Sequence, residues 1–451
     1  MNRRTALGWL GAGTAAVGLG GYHQRRRIGR WSDRNALHGA QEIEHPTVSD
    51  ATSLRPTESH LIDALEELAE RVEAARERWP DGEIEADEDE LMAHSGRQFE
   101  RADATLEEYE AQRGSFGEFS AAERLDVLGD LRGALGGAEQ AITLAALQRG
   151  ERDRDDISAD LEALREEYEA VLEGLSYVAP NLSWAATAYG ELDEWLDTAR
   201  GSIRMAERYV HGEGNLDTVE PQYSAARAAS ARARLDDAVR FQDSLEASAR
   251  EEASAGSLES DLEDASERLE ERTETVIENV EFETEDGGDE IDAHAYRIYI
   301  SHLLERHDGP TDAFEKGLPA LAVRRAVERH AYALSLPAFE DIPSTSEPDV
   351  TVEFDTTGDA VRDAKARASS ALEDRIRADG DDQLVQHLCA MLVDRFERQD
   401  RRLERHLEAI NEESASDWAR QLEQTRLRYL EIEELATAIP DVMAVVTEID
   451  D

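Results

Sequence analysis

Apolar side chains return at helical spacing along almost the whole chain, and this periodicity constrains the fold more than any other feature. Along residues 183–211 and 416–438 they recur every three or four positions. That spacing places them on one face of an α-helix, whereas a strand would alternate at every second residue. The sequence therefore predicts an all-α fold of about eleven to twelve helices, arranged as multi-helix up-down bundles with at most one small two-stranded ribbon.

Capping residues, glycines and prolines set the ends of the predicted helices. Thr57 is a predicted N-cap, and Ser120 with Glu123 is a predicted capping box. The predicted ranges are about 57–79, 87–113, 120–150, 156–178, 183–211, 220–254, 257–279, 289–307, 311–336, 359–379, 382–411 and 416–438.

Three glycines, Gly133, Gly136 and Gly137, lie inside the third predicted helix. In a helix interior each glycine costs up to about 1 kcal/mol relative to alanine, because its backbone loses more freedom on folding. Their presence predicts a close contact with a neighbouring helix, or a bend, at this point.

Two five-residue segments give a hint of internal duplication. Residues 280–284 and 352–356 share an alternating, strand-like pattern, and each leads into predicted helices. We interpret them as parts of two strand-helix-helix units, and we expect strands at 280–284 and 350–355 to pair as the ribbon. A chance match in so acidic a chain is the alternative.

The chain divides into four predicted regions. Residues 1–34 form a signal or signal anchor with a basic flank. Residues 35–56, rich in Ser, Thr, Asp and His and without an apolar period, are predicted to be a linker. Residues 57–279 form a first helical domain, and residues 280–451 form a second one that contains the candidate duplication.

Acidic residues far outnumber basic ones. The chain has 102 Asp and Glu against 49 Lys and Arg, a net charge of −53, and Lys316 and Lys365 are its only lysines. Excess carboxylates with scarce lysine resemble the proteins of salt-in halophilic archaea. Concentrated salt suits such a chain, because the Debye length falls to about 3 Å at 1 M and self-repulsion is screened. The same charge excludes nucleic acid as a partner, since phosphate binding rests on Lys and Arg.

The N-terminus has the features of a targeting signal. Arg3 and Arg4 are followed by Leu7 and by an uncharged, glycine-rich run to Tyr22. This arrangement resembles a twin-arginine (Tat) export signal, in which paired arginines precede an apolar segment. The resemblance implies transient contact with the twin-arginine translocase and a body that is extracellular or at the cell surface, with the N-terminus in the cytoplasm. Residues 5–22 are also a candidate membrane anchor, barely long enough to span a bilayer.

An opposing topological signal follows directly. The five arginines between positions 25 and 34 outnumber Arg3 and Arg4. By the positive-inside rule they would hold the body of the protein in the cytoplasm. We give the resemblance to an export signal the greater weight.

No motif for catalysis or metal binding occurs, and no cofactor is indicated. The sequence lacks a glycine-rich phosphate loop, a Gly-x-Ser-x-Gly elbow and a His-Glu-x-x-His pair. The single Cys389 excludes an intramolecular disulfide and is predicted to be an inert core residue. Five aromatic residues could line a ligand pocket between helices, although core packing explains them equally well. They are Tyr177, Trp184, Tyr189, Trp195 and Tyr209.

A run of mixed charge at 394–405 looks at first like an anion site. The acidic residues in the run argue against an anion site. On a predicted helix, Asp394 stands four residues before Arg398, and Glu397 stands four residues before Arg401. Such pairs face each other and attract. We therefore interpret the run as a solvated, salt-bridged helix face.

Three functional hypotheses remain open. The favoured one is a non-enzymatic, membrane-tethered or cell-surface helical protein that acts as a scaffold or binding partner, its protein partner unknown. The second is an exported helical enzyme or a metal- or cofactor-binding protein, with its site built from several helices. The third keeps the body in the cytoplasm, anchored by residues 5–22, as an assembly factor.

Overall fold

A computed structural model of the chain describes residues 33–48, 52–79, 90–212, 220–252, 254–279, 309–339, 356–409 and 415–450. This part of the chain is all-α apart from one short two-stranded sheet, so the predicted fold class is confirmed. The helices in chain order are α1 (33–41), α2 (Glu58–Arg78), α3 (Glu90–Gln112), α4 (Ala121–Arg149), α5 (Arg154–Glu173), α6 (Leu182–His211), α7 (Pro221–Arg250), α8 (Glu259–Glu278), α9 (Pro310–Glu315), α10 (Pro319–Ser335), α11 (Gly358–Asp379), α12 (Gln383–Ala409) and α13 (Ala415–Asp450).

Local sequence signals set several helix ends as predicted. The Thr57 hydroxyl accepts a hydrogen bond from the backbone N–H of His60 at 3.1 Å, so Thr57 is the N-cap of α2. Ser120 and Glu123 exchange the two hydrogen bonds of a capping box at the start of α4. Helix α4 ends at Gly150, whose φ of 65° lies in the left-handed region that glycine adopts without strain.

The described residues fall into two compact units. The described residues within 50–267, 308–325 and 449–451 belong to the first unit, and those within 1–49, 268–307 and 326–448 belong to the second. Helices α8 and α10 each contribute to both units.

Helix α4 is the central element of the first unit, where it packs against α2, α3 and α7. Its glycines permit this packing. A Cβ atom on Gly136 would lie 2.8 Å from the carbonyl oxygen of Ala226 in α7, and one on Gly137 would lie 2.9 Å from that of Gln98 in α3. The close contact predicted from the sequence is confirmed at both positions. Gly133 differs, because open space surrounds the place where its Cβ would stand.

The two-stranded sheet joins residues that the sequence assigned to helix ends. Strand β1 (Val178–Ala179) pairs antiparallel with β2 (Gly256–Ser257). Helix α5 ends at Glu173, earlier than predicted, and Gly174 follows it as the C-cap. The strands predicted at 280–284 and 350–355, and the helix predicted at 289–307, lie outside the described residues.

In the second unit, α11 packs against α12. Phe396 of α12 meets Tyr429 of α13 with ring centroids 5.3 Å apart, and both side chains are fully buried. The segment 33–48 joins this unit through two polar contacts. The Asp33 carboxylate accepts the backbone N–H of Gly358 at 2.8 Å, and the hydroxyl of Ser369 donates to the carbonyl of Glu44 at 3.1 Å.

The predicted linker at 35–56 therefore differs from what the structure contains. Its first residues belong to helix α1, and Leu37 and Ala40 are buried. The helix is too short to show an apolar period, and its contacts reach residues more than three hundred positions away.

The last helix is longer than predicted. It continues through Pro440 to Asp450, although proline lacks an N–H and crowds the preceding turn. Val442 and Val446 are buried beyond the proline, so packing outweighs the local cost. Among the residues that the structure describes, no helix is long and apolar enough to cross a membrane.

Candidate functional site

A groove between α12 and α13 in the second unit concentrates positive charge. It encloses about 290 Å³. The chain as a whole has about two acids for every base, whereas this groove has four guanidinium groups and one carboxylate. We call it the arginine groove, and it is lined by Arg395, Arg398, Gln399, Arg402, Arg428, Glu431 and Ile432.

Helical geometry brings the α12 residues to one side. Positions 395, 398, 399 and 402 follow the i, i+3, i+4, i+7 pattern, so they fall within a sector of about 100°. Their track along the axis is about 10 Å long at 1.5 Å per residue. Arg428 and Glu431 stand three residues apart on α13 and complete the opposite wall.

One end of the groove is a fixed ion network. The Glu431 carboxylate lies 3.2 Å from a guanidinium nitrogen of Arg395 and 2.9 Å from one of Arg428, and its side chain is only 3% exposed. The Arg395 guanidinium also lies 5.1 Å from the ring centroid of Tyr332. Glu431 thus orients two arginines while neutralising about one of their charges.

At the other end, several hydrogen-bond donors have no partner among the described residues. Arg398 and Arg402 are exposed and form no ion pair within the described part of the chain. Gln399 is only 5% exposed, yet its amide makes no hydrogen bond to any described residue. At the first end, the Nε atom of Arg395 is buried without a partner among the described residues. Buried polar groups normally have partners, so the buried Nε of Arg395, together with the donors of Arg398, Gln399 and Arg402, suits the groove to an anion that accepts these hydrogen bonds.

The sequence interpretation of this run anticipated only part of the arrangement. Glu397 pairs with Arg401 at 3.5 Å, as expected for a salt-bridged face. Arg398 instead lines the groove and forms no pair with Asp394 among the described contacts. Sequence reasoning missed the site because Arg428 comes from another helix, and no local pattern links it to α12.

The candidate aromatic residues lie in the first unit, in separate clusters. Tyr189 packs against Tyr177 and Trp184, with centroids 5.2 and 5.7 Å apart. The hydroxyl of Tyr177 donates to Asp193 at 3.1 Å, and that of Tyr189 donates to the carbonyl of Val178 at 3.1 Å. Tyr189 therefore contacts both of the other two rings and the first residue of strand β1.

The other two aromatic candidates have different neighbours. Trp195 packs against Phe241 at 5.7 Å, and the Arg234 guanidinium lies 4.5 Å from its ring centroid. Tyr209 packs against Tyr223 at 5.4 Å. The structure does not bring the five together into one cluster, and none of them lines the arginine groove.

A histidine-aspartate pair inside the first unit has the composition of a general base. Asp237 accepts from Nε2 of His60 at 2.8 Å and from two guanidinium nitrogens of Arg132 at 2.9 and 2.6 Å. Burial raises the pKa of Asp237, but the hydrogen bonds from His60 and Arg132 outweigh burial and hold that pKa below its ordinary value. Asp237 is 0% exposed and His60 4%, so the pair is sealed from solvent. Its role here is to tie α2, α4 and α7 together.

A second buried carboxylate, Asp193 of α6, contacts the first turn of α10. It accepts the backbone N–H of Leu321 at 3.0 Å and is 0% exposed. Burial raises its pKa to about 7, against the lowering effect of the hydrogen bonds from Leu321 and Tyr177. A carboxyl group at a helix N-terminus satisfies N–H groups that lack intrahelical partners, which is a structural role.

Among the described residues of the second unit, Lys365 is a buried cation. Lys365 is 1% exposed, and its Nζ lies 2.9 Å from the Asp400 carboxylate and 5.3 Å from the ring centroid of Phe396. Asp400 also accepts the hydroxyl of Tyr429. This lysine is therefore committed to internal partners.

Metal and thiol chemistry have little support among the described residues. No group of three or more His, Cys, Asp or Glu side chains there is placed to hold a metal ion. Cys389 is buried, and burial raises the pKa of its thiol to about 12, so the reactive thiolate is scarce at neutral pH.

Comparison with known proteins finds similarity in two blocks. Residues 59–252 match a family described as a domain of unknown function, DUF8262, and residues 259–448 match a second one, DUF8264. The arginine groove lies in the second block. No curated protein and no solved structure matches the chain.

Proposed function

We propose that this protein is a non-enzymatic helical binding protein of concentrated salt, held at the cell surface or membrane, and that the arginine groove binds an anionic ligand. The observation that carries the proposal is the local reversal of charge. A groove with four arginines and one glutamate stands in a chain whose net charge is −53. Chance placement would favour carboxylates at such a groove by about two to one.

High salt shapes what such a site must do. At molar salt the Debye length is about 3 Å, so the field of the body neither repels nor attracts a ligand from a distance. Binding must then rest on direct contacts. Guanidinium groups suit this requirement, because they form paired, charge-assisted hydrogen bonds to oxyanions. The unpartnered amide of Gln399 adds a donor that salt does not screen.

Binding is tested by titrating inorganic phosphate into the full chain at about 2 M KCl and following heat or ³¹P line width. We expect the Arg398→Gln and Arg402→Gln variants to bind at least several-fold more weakly than wild type. Arg401→Gln is the matched control, since Arg401 is on the same helix, is exposed, and does not line the groove. Equal loss in all three variants, or no binding by wild type, would count against the groove.

The location is proposed from the resemblance of Arg3, Arg4 and Leu7 to a twin-arginine signal. Replacing both arginines by lysine should leave the protein in the cytoplasm, because lysine keeps the charge but not the recognised pair. Cell fractionation and surface protease digestion report the outcome. Replacement of Arg26 and Arg27 by lysine is the control and should leave export intact. Surface display of the Arg3 and Arg4 variant would contradict the proposal.

A further inference from the structure

We propose that the ligand of the arginine groove is elongated and bears two oxyanion groups, phosphate or sulfate esters, held about 10 Å apart at the two ends of the groove. This inference rests on the proposed function and specifies its ligand. Its basis is the spacing of the cationic groups along α12 and the unequal state of the two ends.

Length is the first argument. Arg395 and Arg402 are seven residues apart on one helix face, which places their attachment points about 10 Å apart along the axis. A single phosphate ion contacts one or two guanidinium groups through paired hydrogen bonds. It would leave the donors at the far end unsatisfied. A ligand with two anionic groups can engage both ends at once.

The second argument is that the arginines at one end of the groove are held by ion pairs and those at the other end are not. At the inner end, Glu431 holds Arg395 and Arg428 at 3.2 and 2.9 Å, so these two cations are already oriented for a first anionic group. At the outer end, Arg398 and Arg402 are exposed and unpaired within the described residues. The groove thus has a preorganised end and an adaptable end. A preorganised contact binds with less loss of side-chain entropy.

The middle of the groove gives the third argument. Gln399 lies along α12 between Arg398 and Arg402, is 5% exposed, and makes no hydrogen bond to any described residue. Ile432, also buried, lies on the opposite wall. An amide and an aliphatic side chain suit the uncharged connector of a two-headed ligand.

A series of synthetic probes distinguishes the effect of the spacing between two anionic groups from the effect of their number. Methylphosphonate carries one anionic group, and methylene-, propylene- and hexamethylene-bisphosphonate carry two at increasing separation. We expect hexamethylene-bisphosphonate to bind the full chain at least about tenfold more tightly than methylene-bisphosphonate at about 2 M KCl, because linking two groups that fit makes the second contact intramolecular. Methylphosphonate should bind with an affinity close to that of the methylene compound.

Variants at the two ends locate the contacts. Arg402→Gln and Arg428→Gln should each reduce binding of the hexamethylene compound to the level of methylphosphonate. Methylphosphonate itself should weaken in only one of the two variants, because it occupies one end. Arg401→Gln is again the control, and thermal unfolding confirms that each variant folds. The probe series on the wild type alone still tests the inference if a variant does not fold.

The outcomes separate this inference from the proposed function. If all probes bind with equal affinity, the groove binds anions but the two-headed ligand is wrong. The same conclusion follows if affinity rises from one to two phosphonates regardless of their spacing. If no probe binds, the anion groove itself fails. A preference for the longest probe that Arg401→Gln removes as fully as Arg402→Gln would place the site elsewhere and overturn the assignment.

Discussion

The glycines of α4 allow a prediction in which three chemically identical changes have opposite effects. Alanine at Gly133 meets open space. Alanine at Gly136 places its Cβ 2.8 Å from a backbone oxygen of α7, and alanine at Gly137 places its Cβ 2.9 Å from one of α3. Real Cβ atoms do not approach so closely, so a neighbouring helix must move. Backbone oxygen atoms cannot rotate away as a flexible side chain can.

The magnitudes follow from two terms. Replacing a helix-interior glycine by alanine stabilises a protein by up to about 1 kcal/mol, because alanine restricts the unfolded chain. Forcing a methyl group into a filled contact costs about 1 to 3 kcal/mol. Gly133→Ala should therefore raise the free energy of unfolding by up to about 1 kcal/mol, and Gly136→Ala and Gly137→Ala should lower it by up to about 2 kcal/mol. The difference between Gly136→Ala and Gly133→Ala isolates the packing cost, since the propensity term cancels.

Urea unfolding followed by circular dichroism, at fixed high salt, measures these differences for the full chain. For a unit of this size, 1 kcal/mol corresponds to about 2 to 4 °C in melting temperature, which thermal scans resolve. Three stabilising substitutions would refute the reasoning, because the close approaches of α4 would then be absent in solution. Three destabilising ones would indicate that helix propensity is irrelevant at these positions.

Three further predictions concern charge. Burial raises the pKa of Asp193 from 3.8 to about 7, so the stability that its protonated form contributes is fully present below about pH 4 and is lost as the pH rises through 7. The total loss is about 4 kcal/mol, at about 1.4 kcal/mol per unit of pKa shift. In a pH series of unfolding midpoints, Asp193→Asn should flatten this change. Asp237→Asn removes the buried charge that faces Arg132 and should lower the free energy of unfolding by about 3 to 5 kcal/mol. Breaking the exposed pair of Arg165 and Glu169 should lower it by under about 1 kcal/mol. Chemical unfolding measures both differences. The thermal midpoint should rise between about 0.1 and 3 M KCl, because salt screens repulsion most in the compact state, and a flat or falling midpoint would contradict a halophilic design.

The sequence predicted best those features that depend on residues close together in the chain. The fold class follows from apolar periodicity, and the caps at Thr57 and Ser120 follow from side chains that bond within one turn. The close approach at Gly136 was foreseen only as a contact or a bend, because the partner helix cannot be read from α4 itself. Helix α1 was missed for the opposite reason. Asp33 helps to hold it by contacting Gly358, and such distant pairs leave no pattern in a single sequence.

The same limit explains the arginine groove. The charges along α12 alternate in sign, and a helix considered alone predicts that each arginine finds an acid one turn away. Arg401 does so through Glu397. Arg398 faces the groove instead, because the position of α13 decides which side of α12 is enclosed. The sequence could supply the candidate cations. Only the packing of two helices could identify which of them share a site.

In so acidic a chain, a cluster of arginines is less expected by chance than it would be in a neutral protein. With 102 acids and 49 bases, ion pairs between described residues are numerous, and in many of them both side chains are exposed. Exposed pairs of this kind contribute little to stability, so selection on folding alone has little reason to keep arginines apart from acids. Surface ion pairing therefore does not explain a groove lined by four arginines, of which only two contact its one buried glutamate, and by a glutamine without a partner among the described residues. The proposed anionic ligand accounts for them, because it supplies acceptors for the Nε atom of Arg395, for Arg402 and for Gln399, which have none among the described residues.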